Sequence, residues 1–131
     1  IDGIPSPYNG ITKDNYNNFE LLVGVFLNDI TEDYSGNLVV WPRSHMLFCK
    51  YFQENGPESI LNGMPNVELG PFEQIKVKQG DAIICNYLLA HSVSPNLSPN
   101  IRYAIYFRVN YKNKDSWKTN LIDPWWFWQP N

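Results

Sequence analysis

The chain has 131 residues, 44% hydrophobic and 18% charged, with a formal net charge of −3. That balance suits one globular domain and excludes a disordered chain. The mildly acidic charge excludes the concentration of Lys and Arg that a nucleic-acid partner requires. No apolar run nears the ~18 residues a membrane span needs, and the first residues lack the pattern of a signal peptide. Cys49 and Cys85 stand far apart without metal-type spacing. Two such thiols suit a reducing, cytoplasmic setting, and Cys85 in the apolar run Ala82–Cys85 reads as a small buried hydrophobe.

Strand signals dominate the pass along the chain. Residues 20–30 (ELLVGVFLNDI) place Leu21, Val23, Val25 and Leu27 on one face and Leu22, Phe26 and Ile30 on the other. A strand apolar on both faces predicts cover on both sides. A polar turn over 31–36 precedes a short strand, 37–41, that stops at Pro42. Residues 45–55 allow one or two helical turns, and 55–72, rich in Gly and Pro, read as a long loop. The stretch 73–78 alternates as a half-buried strand, with Ile75 and Val77 on its apolar side. Gly80-Asp81 turns into an apolar strand, 82–89, and SPNLSPN over 94–100 is another turn. The last strand, 102–111, sets Arg102, Ala104, Tyr106 and Arg108 on one face and Tyr103, Ile105, Phe107 and Val109 on the other. Many short strands with almost no helix predict a mainly all-β jelly roll or barrel.

Five short segments in fixed order carry the chemistry: Ile1-Asp2-Gly3; Gly36-Asn37-Leu38 leading to Pro42-Arg43-Ser44-His45; Gly80-Asp81-Ala82; His91-Ser92 with Pro95-Asn96 and Ser98; and Arg102-Tyr103. In these segments the chain resembles the phytanoyl-CoA dioxygenase family of Fe(II)/2-oxoglutarate oxygenases. The resemblance covers Asp2 to about Tyr111. It implies a double-stranded β-helix of the jelly-roll, cupin-like kind, with residues 1–111 forming its C-terminal part. The family's preceding helices and strands are expected to be missing, and 112–131 to form an aromatic tail packed on the barrel.

The resemblance also implies a site. Two histidines and one carboxylate on one face of Fe(II) leave positions for 2-oxoglutarate and O₂. Asp2 would be the carboxylate ligand and His91 the distal histidine, while the proximal histidine would precede Ile1. These 131 residues alone are therefore expected to be inactive. Arg102 would bind the distal carboxylate of 2-oxoglutarate, because an arginine turned into a barrel needs an anionic partner. Ser92 and Asn96 are candidates to support His91 from behind. His45 reads as structural or substrate-side, and Asn37 and Ser44 as turn formers. The implied activity cleaves 2-oxoglutarate with O₂ to succinate and CO₂ and hydroxylates a small-molecule or acyl substrate. Two alternatives stay open. One is a non-catalytic jelly roll binding sugar or protein through Trp117, Trp125, Trp126 and Trp128. The other is a cupin-like enzyme without 2-oxoglutarate, which would have no need of Arg102.

Overall fold

The computed structural model describes residues 19–110 and 117–126, together with Thr12. Asp2 lies outside them, as do Trp128 and the rest of residues 1–11, 13–18, 111–116 and 127–131.

Among the described residues six strands form two three-stranded antiparallel sheets. One sheet has β1 (Leu21–Phe26) at its centre, with β4 (Ala82–Asn86) and β6 (Ala104–Val109) on either side. The other has β2 (Leu38–Val40) between β3 (Glu73–Ile75) and β5 (His91–Val93). The architecture is mainly β, and the described strands do not close into a barrel. Ile30 and Val77 bridge beyond the ends of β1 and β3, which buries both side chains.

In the first sheet the inward face carries Leu22 beside Cys85 and Arg108, then Gly24 beside Ile83 and Tyr106, then Phe26 beside Ala104. Leu22, Phe26 and Cys85 join the core with Leu38, Val40, Phe48 and Phe52. Burial raises the Cys85 thiol above its ordinary pKa, in keeping with a packed, unreactive sulfur. The outward face corrects the expectation of two-sided cover. Val23, Ile84 and Phe107 form one apolar row and Val25, Ala82 and Ile105 the next. Ile84 remains 64% exposed and Phe107 51%.

Two helical segments exceed the sequence reading. The helix α1 runs from Ser44 to Asn55, and a 3-10 segment, Pro57–Asn62, occupies part of the expected loop. The α1 apolar stripe (Phe48, Cys49, Phe52) follows the helical period and is buried. Exposed Met46 and Leu47 blur that stripe in the bare sequence. A second helix, α2 (Trp117–Ile122), packs on α1 and buries Leu121. The Gln53 amide donates to the Ile122 carbonyl at 2.8 Å, tying the two helices together. The strand expected over 82–89 ends at Asn86, whose side-chain oxygen accepts from the Leu88 N–H and starts a turn.

Candidate functional site

The site is built between the sheets. A cavity of about 480 Å³ is lined by Leu22, Tyr106 and Arg108 from one sheet and Leu38, His91 and Val93 from the other. Its walls are chiefly apolar, and its polar groups come from β5 and β6.

His91 is half-buried at the start of β5 and pairs with Val40. Its Nδ1 lies 2.9 Å from the Leu89 carbonyl oxygen. A carbonyl can only accept, so Nδ1 donates the proton, which in a neutral imidazole leaves the lone pair on Nε2. That is the tautomer a metal-binding or base-acting imidazole needs. The backbone leading into His91 is held from the Pro42–His45 turn. The buried Ser44 hydroxyl accepts from the Ala90 N–H at 2.8 Å, and the Trp41 N–H donates to the Ala90 carbonyl. Asn37 is fully buried on the other side of β5. Its side chain donates to the Ile75 carbonyl and accepts from the Ser35 N–H, and just past β5 the Ser94 N–H donates to the Asn37 carbonyl at 2.9 Å and the Ser94 hydroxyl to its side-chain oxygen at 3.4 Å. The sequence marks Ser44 and Asn37 only as turn formers; the structure makes them the clamps on the histidine strand.

Ser92 is exposed on β5, and Asn96 closes the following turn by donating to the Asn100 carbonyl at 2.7 Å. The hydrogen bond that sets the His91 tautomer thus comes from Leu89. His45 does not line the cavity; it meets Trp125 edge to face at 5.4 Å. Burial, and then the Arg43 charge, hold its pKa below the ordinary histidine value.

Arg102 precedes β6 and is half-buried. Its aliphatic stem lies against Gly36, where an added Cβ would come 3.4 Å from both Cβ and Cδ of the arginine. Gly36 also has φ +74°, so side-chain bulk and backbone conformation both favour glycine there. The guanidinium stands beside the Tyr106 hydroxyl. Burial raises that hydroxyl's pKa, while Arg102 pulls it down. Both Arg102 Nη1 and Tyr106 Oη are buried, and among the described residues neither has a hydrogen-bond partner of good geometry beyond the approach of the guanidinium to the hydroxyl itself. Two adjacent buried donors that face one another without a third partner among the described residues can be satisfied together by an anion, because an orphaned buried polar group costs about 1–3 kcal/mol. Sequence reasoning missed Tyr106 as a functional group. The overlooked signal is Gly24 in the middle of an apolar strand, directly opposite Tyr106. A Cβ on Gly24 would fall 2.7 Å from the tyrosine ring.

The structure therefore brings His91 and Tyr106 to one cavity, with Arg102 beside the tyrosine. Among the described residues no cluster of three or more His, Cys, Asp or Glu side chains could hold a metal ion, and Asp2 is not one of those residues. Of the tryptophans in α2 and the turn after it, Trp125 is 42% exposed, while Trp117 and Trp126 make internal contacts. Trp117 lies against the core, and the Trp126 indole N–H donates to Asn120. Among the described residues no helix is long and apolar enough to cross a membrane. No family model matches the chain, and no curated protein is detectably similar to it.

Proposed function

We propose that the protein is an Fe(II)/2-oxoglutarate-dependent oxygenase of the phytanoyl-CoA dioxygenase type, whose two sheets belong to a jelly-roll barrel. The observation that carries this reading is the pair of buried polar atoms on Arg102 and Tyr106, of which Tyr106 lines the His91 cavity and Arg102 stands beside it, lining the neighbouring pocket with Asn28 and Ser98. A carboxylate placed there accepts from the guanidinium and from the tyrosine hydroxyl, which removes the cost of both orphaned donors. In this reading Arg102 and Tyr106 hold the distal carboxylate of 2-oxoglutarate and fix which end of the co-substrate reaches His91.

His91 would offer Nε2 to the metal, with its ring angle held by the Leu89 carbonyl and its strand by Ser44 and, through Ser94, by Asn37. Asp2 is the carboxylate ligand in the same reading. Fe(II), when bound, supplies the O₂-activating chemistry. Leu22, Leu38 and Val93 line the cavity and receive the apolar part of a small-molecule substrate. A binding module built on the C-terminal tryptophans fits less well, since Trp117 and Trp126 are committed to internal contacts.

The test is Fe(II)-dependent conversion of 2-oxoglutarate to succinate by a full-length protein that carries the proximal histidine, compared with its Arg102→Ala variant, with 2-oxoglutarate affinity measured in parallel. Losing charge-assisted hydrogen bonds of about 1.5–3 kcal/mol weakens binding roughly 10- to 100-fold. Equal affinities and equal rates in the two proteins would remove Arg102 from this role and the reading with it.

A further inference from the structure

Residues 87–90 connect β4 to β5 and carry the Leu89 carbonyl that accepts from His91. Tyr87 and Leu88 are buried, and three tethers hold this connection in place. The Asn86 side-chain amide donates to the Pro124 carbonyl at 2.8 Å, while its oxygen accepts from the Leu88 N–H at 2.9 Å. The Tyr87 N–H donates to the Glu20 carbonyl at 3.2 Å. The Ala90 N–H donates to the Ser44 hydroxyl at 2.8 Å. An asparagine that only forms a turn needs its oxygen alone. The amide of Asn86 instead reaches a residue 38 positions further along the chain.

All three tethers lead to the end of the chain. Pro124 follows α2 directly. The buried Glu20 carboxylate accepts from the buried Asn120 amide at 3.1 Å, and the Asn120 oxygen accepts from the Trp126 indole N–H. Ser44 opens α1, whose Cys49 thiol and Gln53 amide both donate to the Ile122 carbonyl. Leu121, fully buried, would by itself fasten a short helix to the core. The hydrogen bonds add little net stability to that contact, but a satisfied buried network fixes one arrangement among many. Residues 120–126 are therefore oriented, and not merely attached, where they meet the connection that leads into His91.

We propose that residues 120–126 are a latch on the His91 cavity and that Asn86 is the positioning residue through which the latch acts. When the segment is docked, residues 87–90 keep the Leu89 carbonyl against His91 Nδ1 and the imidazole holds one tautomer. When it is released, that carbonyl moves away and the ring exchanges tautomers as it does in water. The role of His91 as a metal ligand rests on the oxygenase reading; the latch itself does not.

The experiment records the ring-nitrogen resonances of the full chain with isotope-labelled histidine, at alkaline pH where imidazole is neutral. Neither metal nor 2-oxoglutarate is added. His45→Gln assigns the His91 signals, which show the Nδ1–H form in the native chain. Asn86→Asp keeps the acceptor for Leu88 but loses the donor to Pro124. It shifts the His91 tautomer ratio toward Nε2–H by about fivefold or more, the worth of one ordinary hydrogen bond. Trp126→Phe removes the indole donor to Asn120 at nearly constant packing and shifts the ratio in the same direction, so the test does not depend on Asn86→Asp folding. His45 lies edge to face with Trp125, and its signals move in both variants as the segment is released. Lys118→Met, which breaks the exposed ion pair between α2 and Glu58, leaves the His91 ratio unchanged. A native His91 ratio in either variant once folded, or an equal shift in Lys118→Met, overturns the proposal. Failure of 2-oxoglutarate turnover in the full-length protein removes the oxygenase reading and leaves the latch judged on the tautomer alone.

Discussion

Tyr106 has two neighbours that define what it can do. Phe26 meets its ring edge to face at 6.3 Å, and Arg102 approaches its hydroxyl. The ring is held by packing, but the buried hydroxyl has no partner of good geometry among the described residues apart from that guanidinium. A group that costs stability in the free protein and returns it on binding gives opposite signs in two measurements. Tyr106→Phe is expected to leave the melting temperature unchanged or raise it, because it deletes an orphaned polar atom at nearly constant shape. The same variant is expected to weaken 2-oxoglutarate binding by about fivefold to tenfold, the loss of one hydrogen bond of ~1 kcal/mol or somewhat more. A calorimetric scan alongside a titration checks both. A fall in melting temperature with unchanged affinity would make the hydroxyl structural.

Elements explain why such residues converge. Gly24 sits at the centre of β1, between Ile83 on β4 and Tyr106 on β6. Glycine within a strand is ordinarily a weakness, and here it makes the space that the tyrosine ring fills. Gly24→Val would place Cβ 2.7 Å from Cε1 of Tyr106 and 3.2 Å from Cγ1 of Ile83. Overpacking of this kind costs about 1–3 kcal/mol and displaces the ring from Arg102. Denaturant unfolding reads the first effect and 2-oxoglutarate affinity the second; a Gly24→Val protein with native stability and affinity would show that the ring position is not set by β1. The turn before β2 works similarly at Gly36, whose lack of a side chain admits the Arg102 stem. On β5, three residues carry His91 into the cavity because β2 pairs along their whole length, from Leu38 with Val93 to Val40 with His91.

On the scale of the molecule, the two faces of the first sheet differ sharply. The inward face is core and cavity, while the outward face leaves Ile84, Ile105, Phe107 and Val109 between 44% and 64% exposed. Contiguous apolar surface of this kind binds hydrophobic dyes and drives association. Replacing Ile84 with Lys and Phe107 with Glu, two residues that flank Val23 on that face, is expected to lower dye fluorescence and reduce self-association. The stability change should stay within about 1 kcal/mol, since surface substitutions contribute a few tenths each. Dye titration and light scattering measure it; unchanged fluorescence would mean that the apolar rows are covered in solution.

Much of this was legible in the sequence. The period-two alternation over 102–109 separates Arg102, Tyr106 and Arg108 from Tyr103, Ile105, Phe107 and Val109, and the sheet keeps that division. Alternation survives into the fold because side-chain direction in a strand is a local property of the backbone. The stop at Pro42 and the turns at Gly36 and Gly80 are local in the same sense. The length of α1 was hidden by exposed Met46 and Leu47, and β5 by its brevity, since three residues show no period and exist as a strand only through β2. The cavity was equally out of reach: it depends on which sheets face one another, a matter of contacts between residues far apart in the chain. The composition and strand pattern alone determined a mainly β domain with a histidine and an arginine eleven positions apart. Only the tertiary structure decided that Tyr106 stands beside that arginine, that Leu89 sets the histidine's tautomer and that Arg108 marks the cavity's rim. Those relations are distances across the core, and a core is specified by packing between elements.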